Sequence, residues 1–242
     1  MFGMVPQPGK ILDFSFIRSF RNLASCGKIC EGSGPGHGDG WGIVTWKNGE
    51  PVYLGREPLD ASSDPTYEEA CLRGESERLS SPVIAHLRKA SVGLKIKENT
   101  HPFTNAEWAL AHNGTIRKLN LKFTTDSQLF FESVLNDYRK NGKNMVGAIS
   151  KRAETVREIY PYSSLTFLMS NGKRVYGYRD CASNEDYYTL FYAKTPTSLL
   201  ISQEKFVDAP WVPLENGSLI SIDQDLSFEI QNILPRLESK AL

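Results

Sequence analysis

The stretch Thr100 to Thr115, THPFTNAEWALAHNGT, sets the strongest constraint on this chain. Its apolar run Trp108-Ala109-Leu110-Ala111 reads as a buried strand and stops at His112-Asn113-Gly114. Asn-Gly after a strand has two readings. It is a common hairpin turn. It also sets a side-chain amide beside a backbone N–H, a donor pair from which an oxyanion hole can be built. The stretch alone does not choose between them.

Composition removes several classes. Twenty-eight basic and 28 acidic residues give a formal net charge of +0, so nothing favours nucleic acid or an acidic membrane surface. No apolar run nears the roughly 20 residues that span a bilayer. The start, MFGMVPQPGK, lacks the basic and apolar segments of a secretory signal. Four cysteines, Cys26, Cys30, Cys71 and Cys181, are too few and scattered for a disulfide framework. Cys26 and Cys30 have the spacing of half a zinc site, but no second pair follows. The expectation is a reduced, cytoplasmic protein without metal or cofactor.

The chain alternates strand and helix signals. A short strand is expected over residues 1–5, and a helix with one buried face over Ile11 to Leu23. Residues 31–40, EGSGPGHGDG, form a glycine-rich loop. His37 and Asp39 within it are metal ligands, an acid/base pair, or residues that shape the turn. Trp41 to Trp46 and Pro51 to Leu54 make a hairpin. A helix over Pro65 to Arg78 precedes the strand Val83 to Arg88, whose alternation points His86 and Arg88 to one face. Thr125 and Gln128 have the capping-box spacing for a helix over Gln128 to Tyr138, and a second helix covers Asn144 to Ile159. Asp126 either complements that helix dipole or holds a substrate ammonium. Later strands fall at Leu165 to Met169, Arg174 to Tyr178, Tyr187 to Ala193, Leu199 to Ser202 and Leu219 to Ile222. Two sheets covered by helices, in one domain over 1–242, is the expected architecture.

Four stretches together resemble the class II, N-terminal-nucleophile glutamine amidotransferases. They are Gly38 to Ile43, Ala85 to Ser91, His101-Pro102-Phe103 with Ala111 to Gly114, and Thr125 to Gln128. Ser202-Gln203-Glu204 and Trp211 to Ser218 look like the stand-alone glutamine amidotransferase or glutamine hydrolase branch. The resemblance covers nearly the whole chain. It implies an α+β fold, a four-layer αββα sandwich of two antiparallel sheets. It implies that Arg88 binds the α-carboxylate of glutamine, that Asp126 holds the α-ammonium, and that Asn113 and the Gly114 N–H form the oxyanion hole. His86 belongs to the substrate-binding set and, with His112, supports rather than catalyses; the glycine-rich loop lies near the site. The implied ligand is glutamine or another γ-glutamyl amide, and a synthase partner would accept any ammonia released.

The chain departs from the family at its start. The family's nucleophile is an N-terminal cysteine whose own α-amine serves as base. This chain begins Met1-Phe2-Gly3-Met4, and none of its cysteines stands there. Family members commonly open Met-Cys-Arg, an apolar residue, then Phe-Gly. Met1-Phe2-Gly3 fits the last three places, so the expected nucleophile lies upstream of Met1. The competing expectation is a catalytically dead binder of glutamine, acting as a subunit or sensor.

Overall fold

The computed structural model describes residues 1–30, 36–90, 93–119, 121 and 124–234. Glu31 to Pro35 of the glycine-rich loop, Ser91 of the Arg88 motif and Asn120 lie outside them. Two antiparallel sheets form the centre. The first contains β1 (Phe2–Pro6), β2 (Trp41–Lys47), β3 (Glu50–Glu57), β4 (Val83–Leu87), β9 (Phe191–Lys194), β10 (Ser198–Ser202) and β11 (Val212–Pro213), ordered β11-β9-β10-β1-β4-β2-β3. The second contains β5 (Phe103–Asn105), β6 (Trp108–Asn113), β7 (Thr166–Ser170), β8 (Arg174–Arg179), β12 (Ser218–Asp223) and β13 (Phe228–Asn232), ordered β13-β12-β8-β7-β6-β5. Helices α1 (Phe14–Arg21), α2 (Leu23–Cys26) and α3 (Pro65–Ser76) accompany the first sheet. Helices α4 (Asp126–Lys140) and α5 (Met145–Ile159) cover the second.

Three apolar layers follow from strand alternation. On β1, Phe2 and Met4 pack toward α1 and α3, while Met1 and Val5 face the other sheet. On β4, Val83, Ala85 and Leu87 face the helices and Ile84 faces the second sheet. On β6, Trp108 and Leu110 pack toward α4 and α5, whereas Ala109 and Ala111 enter the layer between the sheets. The expected α+β sandwich of two antiparallel sheets is therefore what the chain forms.

The boundaries shift for local reasons. The first helix starts at Phe14, because the Asp13 carboxylate accepts from the Ser15 N–H at 3.0 Å and caps it there. Ile11, expected on its buried face, is 44% exposed. Asp64 caps α3 in the same way. The capping box at α4 forms as expected: Gln128 N–H donates to Thr125 Oγ1 at 3.2 Å, and Thr125 N–H donates to Gln128 Oε1 at 2.9 Å. Tyr187 and Tyr188, expected on a strand, sit in a turn whose N–H groups both donate to the Asn184 carbonyl. β9 begins only at Phe191.

One buried ion pair ties the helical layer to the second sheet. Arg157 of α5 makes two 2.9 Å hydrogen bonds to Asp180, just beyond β8. Their side chains are 7% and 1% exposed. Asp180→Ala removes the carboxylate from a buried guanidinium that keeps the Leu234 carbonyl as a partner, and should cost about 3–5 kcal/mol in urea unfolding. A loss below about 1 kcal/mol would show that the pair is not structurally required.

Candidate active site

Three strand ends meet at one edge of the layer between the sheets. β1 runs antiparallel to β4, so the start of β1 lies beside the end of β4 (Phe2 opposite Ala85). The end of β6 approaches from the other sheet. Met1, His86, Arg88, His101, His112, Asn113, Gly114, Asp126, Gln203 and Glu204 line one cavity there, with Tyr187, His37 and Lys28 also on its wall. All five residues expected at a site, Asn113, Gly114, Arg88, Asp126 and His86, are thus brought together.

Parity places them. Asn113 has the same parity on β6 as Ala109 and Ala111 and so faces the first sheet, while His112 turns away to α4. The His112 ring is held at both ends: Nε2 lies 3.0 Å from the Ser164 carbonyl and Nδ1 2.8 Å from Ser127 Oγ. A carbonyl only accepts, so Nε2 carries the proton and Nδ1 accepts from the serine. That contact joins the end of β6 to the start of α4. The next residue, Gly114, has φ +154°, and a Cβ on it would stand 1.9 Å from the Ser164 carbonyl oxygen. Only glycine fits there.

Asp126 opens α4 and is buried, with its Oδ2 accepting from the Ile116 N–H at 2.7 Å. Arg88 follows β4 and is 5% exposed; Nη1 donates to the Leu94 carbonyl at 3.0 Å. Burial draws its pKa down, against the pull of Asp39. Asp39 clamps this segment. Its N–H donates to the Arg88 carbonyl, its Oδ2 accepts from the Ala90 N–H at 2.9 Å, and Oδ1 meets Lys95 Nζ at 2.5 Å. His37 lies 3.3 Å from Glu204 and packs so closely over Gly27 that a Cβ there would stand 2.5 Å from its ring. Asp39 and His37 therefore take the loop-shaping role of the three readings. Among the described residues no group of three His, Cys, Asp or Glu side chains could hold a metal. No described helix is long and apolar enough to cross a membrane.

Sequence reasoning gave several wall residues no site role, although it had singled out Gln203 and Glu204 as part of the resemblance. Tyr187 comes from the Asn184 turn; burial pushes its phenol up to about 12, opposed by the influence of the Asn113 side chain. Glu204 accepts from the Lys28 N–H at 2.9 Å. Burial works against its ionisation, but the His37 and Lys28 hydrogen bonds prevail and lower its pKa. Gln203 Oε1 lies 3.4 Å from the Met1 nitrogen. Tyr187 left no periodic signal because it lies in a turn.

A family model described as class II glutamine amidotransferases matches residues 3–197. The chain belongs to that family. It is 30% identical over 174 residues to YafJ of Escherichia coli (strain K12), a name given with the glutamine amidotransferases, covering 65% of this chain and 66% of YafJ. A Haemophilus influenzae relative of the same description is 31% identical, covering 62% of this chain and 54% of its own length. The chain thus spans about half to two thirds of those relatives. The γ-glutamyl-hercynylcysteine sulfoxide hydrolase of Mycolicibacterium smegmatis is 23% identical over 79% of this chain and 77% of its own. Among solved structures, a class II domain protein from Silicibacter pomeroyi aligns with TM-score 0.63 at 18% identity, over 82% of this chain and 97% of that one. The glutamine phosphoribosylpyrophosphate amidotransferase of B. subtilis aligns with TM-score 0.66 at 15% identity, over 98% of this chain and 49% of that one. These last two likenesses bear on the fold.

Burial holds His86, His101 and His112 below the ordinary imidazole pKa of 6.5. The unfolded chain therefore binds more protons as pH falls, and stability rises with pH in that range. The three groups impose no penalty well above pH 6.5 and an increasing one below it, by up to about 1.4 kcal/mol per pH unit each. Urea unfolding should be nearly level from pH 8 to 7 and lose several kcal/mol from pH 7 to 5. A change within about 1 kcal/mol over that lower span would contradict three buried neutral histidines.

Proposed function

We propose that this chain is a single glutamine amidotransferase unit that binds glutamine or another γ-glutamyl amide and hydrolyses it through a cysteine two residues before Met1. Arg88 takes the α-carboxylate and Asp126 the α-ammonium, a cation and an anion on opposite elements facing one cavity. Asn113 and the Gly114 N–H receive the amide oxygen as it becomes an oxyanion. His86 lies beneath the substrate. Ammonia leaves to water or to a synthase partner.

The observation that carries the reading is the register of β1. Phe2 lies opposite Ala85 and Gly3 opposite Ile84. Continued backwards, that register sets Met1 opposite His86 and a residue two places earlier opposite Arg88. That residue has the parity of Met1 and Val5, whose side chains face the second sheet. Two extended residues reach roughly 7 Å further. A cysteine there would turn its thiol toward Asn113. None of Cys26, Cys30, Cys71 and Cys181 lines the cavity, which also favours a nucleophile from elsewhere and is the feature that keeps a non-catalytic glutamine binder as the second reading.

The test is the chain preceded by Met-Cys-Arg. After methionine removal it should release ammonia and glutamate from L-glutamine, and its serine counterpart should not. Arg88→Ala in that chain should raise KM by roughly 10- to 150-fold, the worth of a charged hydrogen bond of about 1.5–3 kcal/mol. Glutamine binding without ammonia release would favour the non-catalytic reading; no binding would overturn both.

A further inference from the structure

His101 is 8% exposed, and neither of its ring nitrogens has a hydrogen-bond partner. His86, 6% exposed, has an unpartnered Nδ1, and the two rings stand 4.6 Å apart. Both line the cavity that holds Arg88, Asn113 and Gly114. Buried polar atoms without partners are rare, and a cluster of them calls for an ordered water or a ligand. The cluster is also placed rather than left over. Gly42 of β2 admits the His101 main chain, since a Cβ there would stand 2.3 Å from the His101 carbonyl oxygen. Phe103 packs against the ring at 4.3 Å between centroids. With His86 beside it, His101 shares that cavity with Met1, Arg88, His112 and Asn113, so the pair lies among the ends of β1, β4 and β6.

We propose that His101, backed by His86, holds the water that completes hydrolysis at this site. The inference rests on the cysteine-dependent reading above. In the first half-reaction the thiolate bonds to the γ-carbonyl carbon, the C–N bond breaks, and ammonia leaves with the proton that the thiol gave up. In the second, the water oxygen bonds to the same carbon and the C–S bond breaks. The water's proton passes to the sulfur, freeing the thiol and glutamate. A neutral His101 has one ring nitrogen that accepts an O–H from that water, aiming its lone pair at the thioester. His86 offers a second acceptor or donor and fixes the water's other side. His101 is thus a water-positioning residue that acts on deacylation and not on glutamine capture.

The experiment uses the chain preceded by Met-Cys-Arg, with His101→Leu and His101→Asn made in it. In His101→Leu, kcat for glutamine hydrolysis should fall at least about tenfold, with KM changed by less than about threefold. Intact mass taken during turnover should show the enzyme carrying a glutamyl adduct on its first residue. Hydroxylamine, which attacks the thioester without a positioned water, should restore turnover as the hydroxamate. His101→Asn, which keeps an acceptor, should recover part of the hydrolysis and serves if the leucine variant fails to fold. Parent-like hydrolysis in both variants would overturn the proposal. So would a loss with no adduct and no hydroxylamine rescue, which is the pattern of a purely structural residue. If the parent itself releases no ammonia, the hydrolase reading fails first, and the water role falls with it.

Discussion

A β-strand sends successive side chains to opposite faces, and at the ends of β1, β4 and β6 this parity determines what the cavity contains. His112 and Asn113 are neighbours with opposite fates. One turns to α4 and bonds Ser127 and the Ser164 carbonyl; the other faces the first sheet. A slip of one residue would exchange them and bury the amide among Phe130 and the α4 side chains. The register is secured by the apolar layers on both faces of β6 and by Gly114, whose missing side chain admits the Ser164 carbonyl.

The same contact couples stability to the site. Ser164 Oγ donates to the Asp180 carbonyl at 2.9 Å, and the Asp180 carboxylate holds Arg157 of α5. The helix layer, the β7 entry and the end of β6 therefore share one buried polar network. Three neutral imidazoles around it add no charge to the field that Arg88 and Asp126 set up. Arg88 and Asp126, both buried, thus present a guanidinium and a carboxylate to one cavity, and charge interactions in such surroundings are stronger than in water.

Much of this was legible from residues. The capping box at Thr125 and Gln128, the hairpin after Trp41 and the alternation of β4 each rest on local chemistry that tertiary context did not override. The resemblance brought Arg88, Asn113, Gly114, Asp126 and His86 into one list, and the fold brings them to one cavity. What stayed hidden depends on contacts distant in sequence. Asp39 had three readings, and only its bonds to Ala90 and Lys95 choose among them. Tyr187 looked like a strand residue because its neighbours are aromatic, yet the Asn184 turn carries it to the cavity wall. β13 escaped notice because all but one of its side chains are exposed, which leaves no buried face to read.

The central claim is that the cavity reads both ends of an amino acid and the amide of its side chain. The most direct measurement is a crystal structure of this protein soaked with L-glutamine. The account predicts the α-carboxylate against the Arg88 guanidinium, the α-ammonium against the Asp126 carboxylate, and the amide oxygen directed at Asn113 and the Gly114 N–H. Glutamine bound in the reverse sense, with its side-chain amide on Arg88, would contradict it, and so would a cavity that stays empty at saturating glutamine.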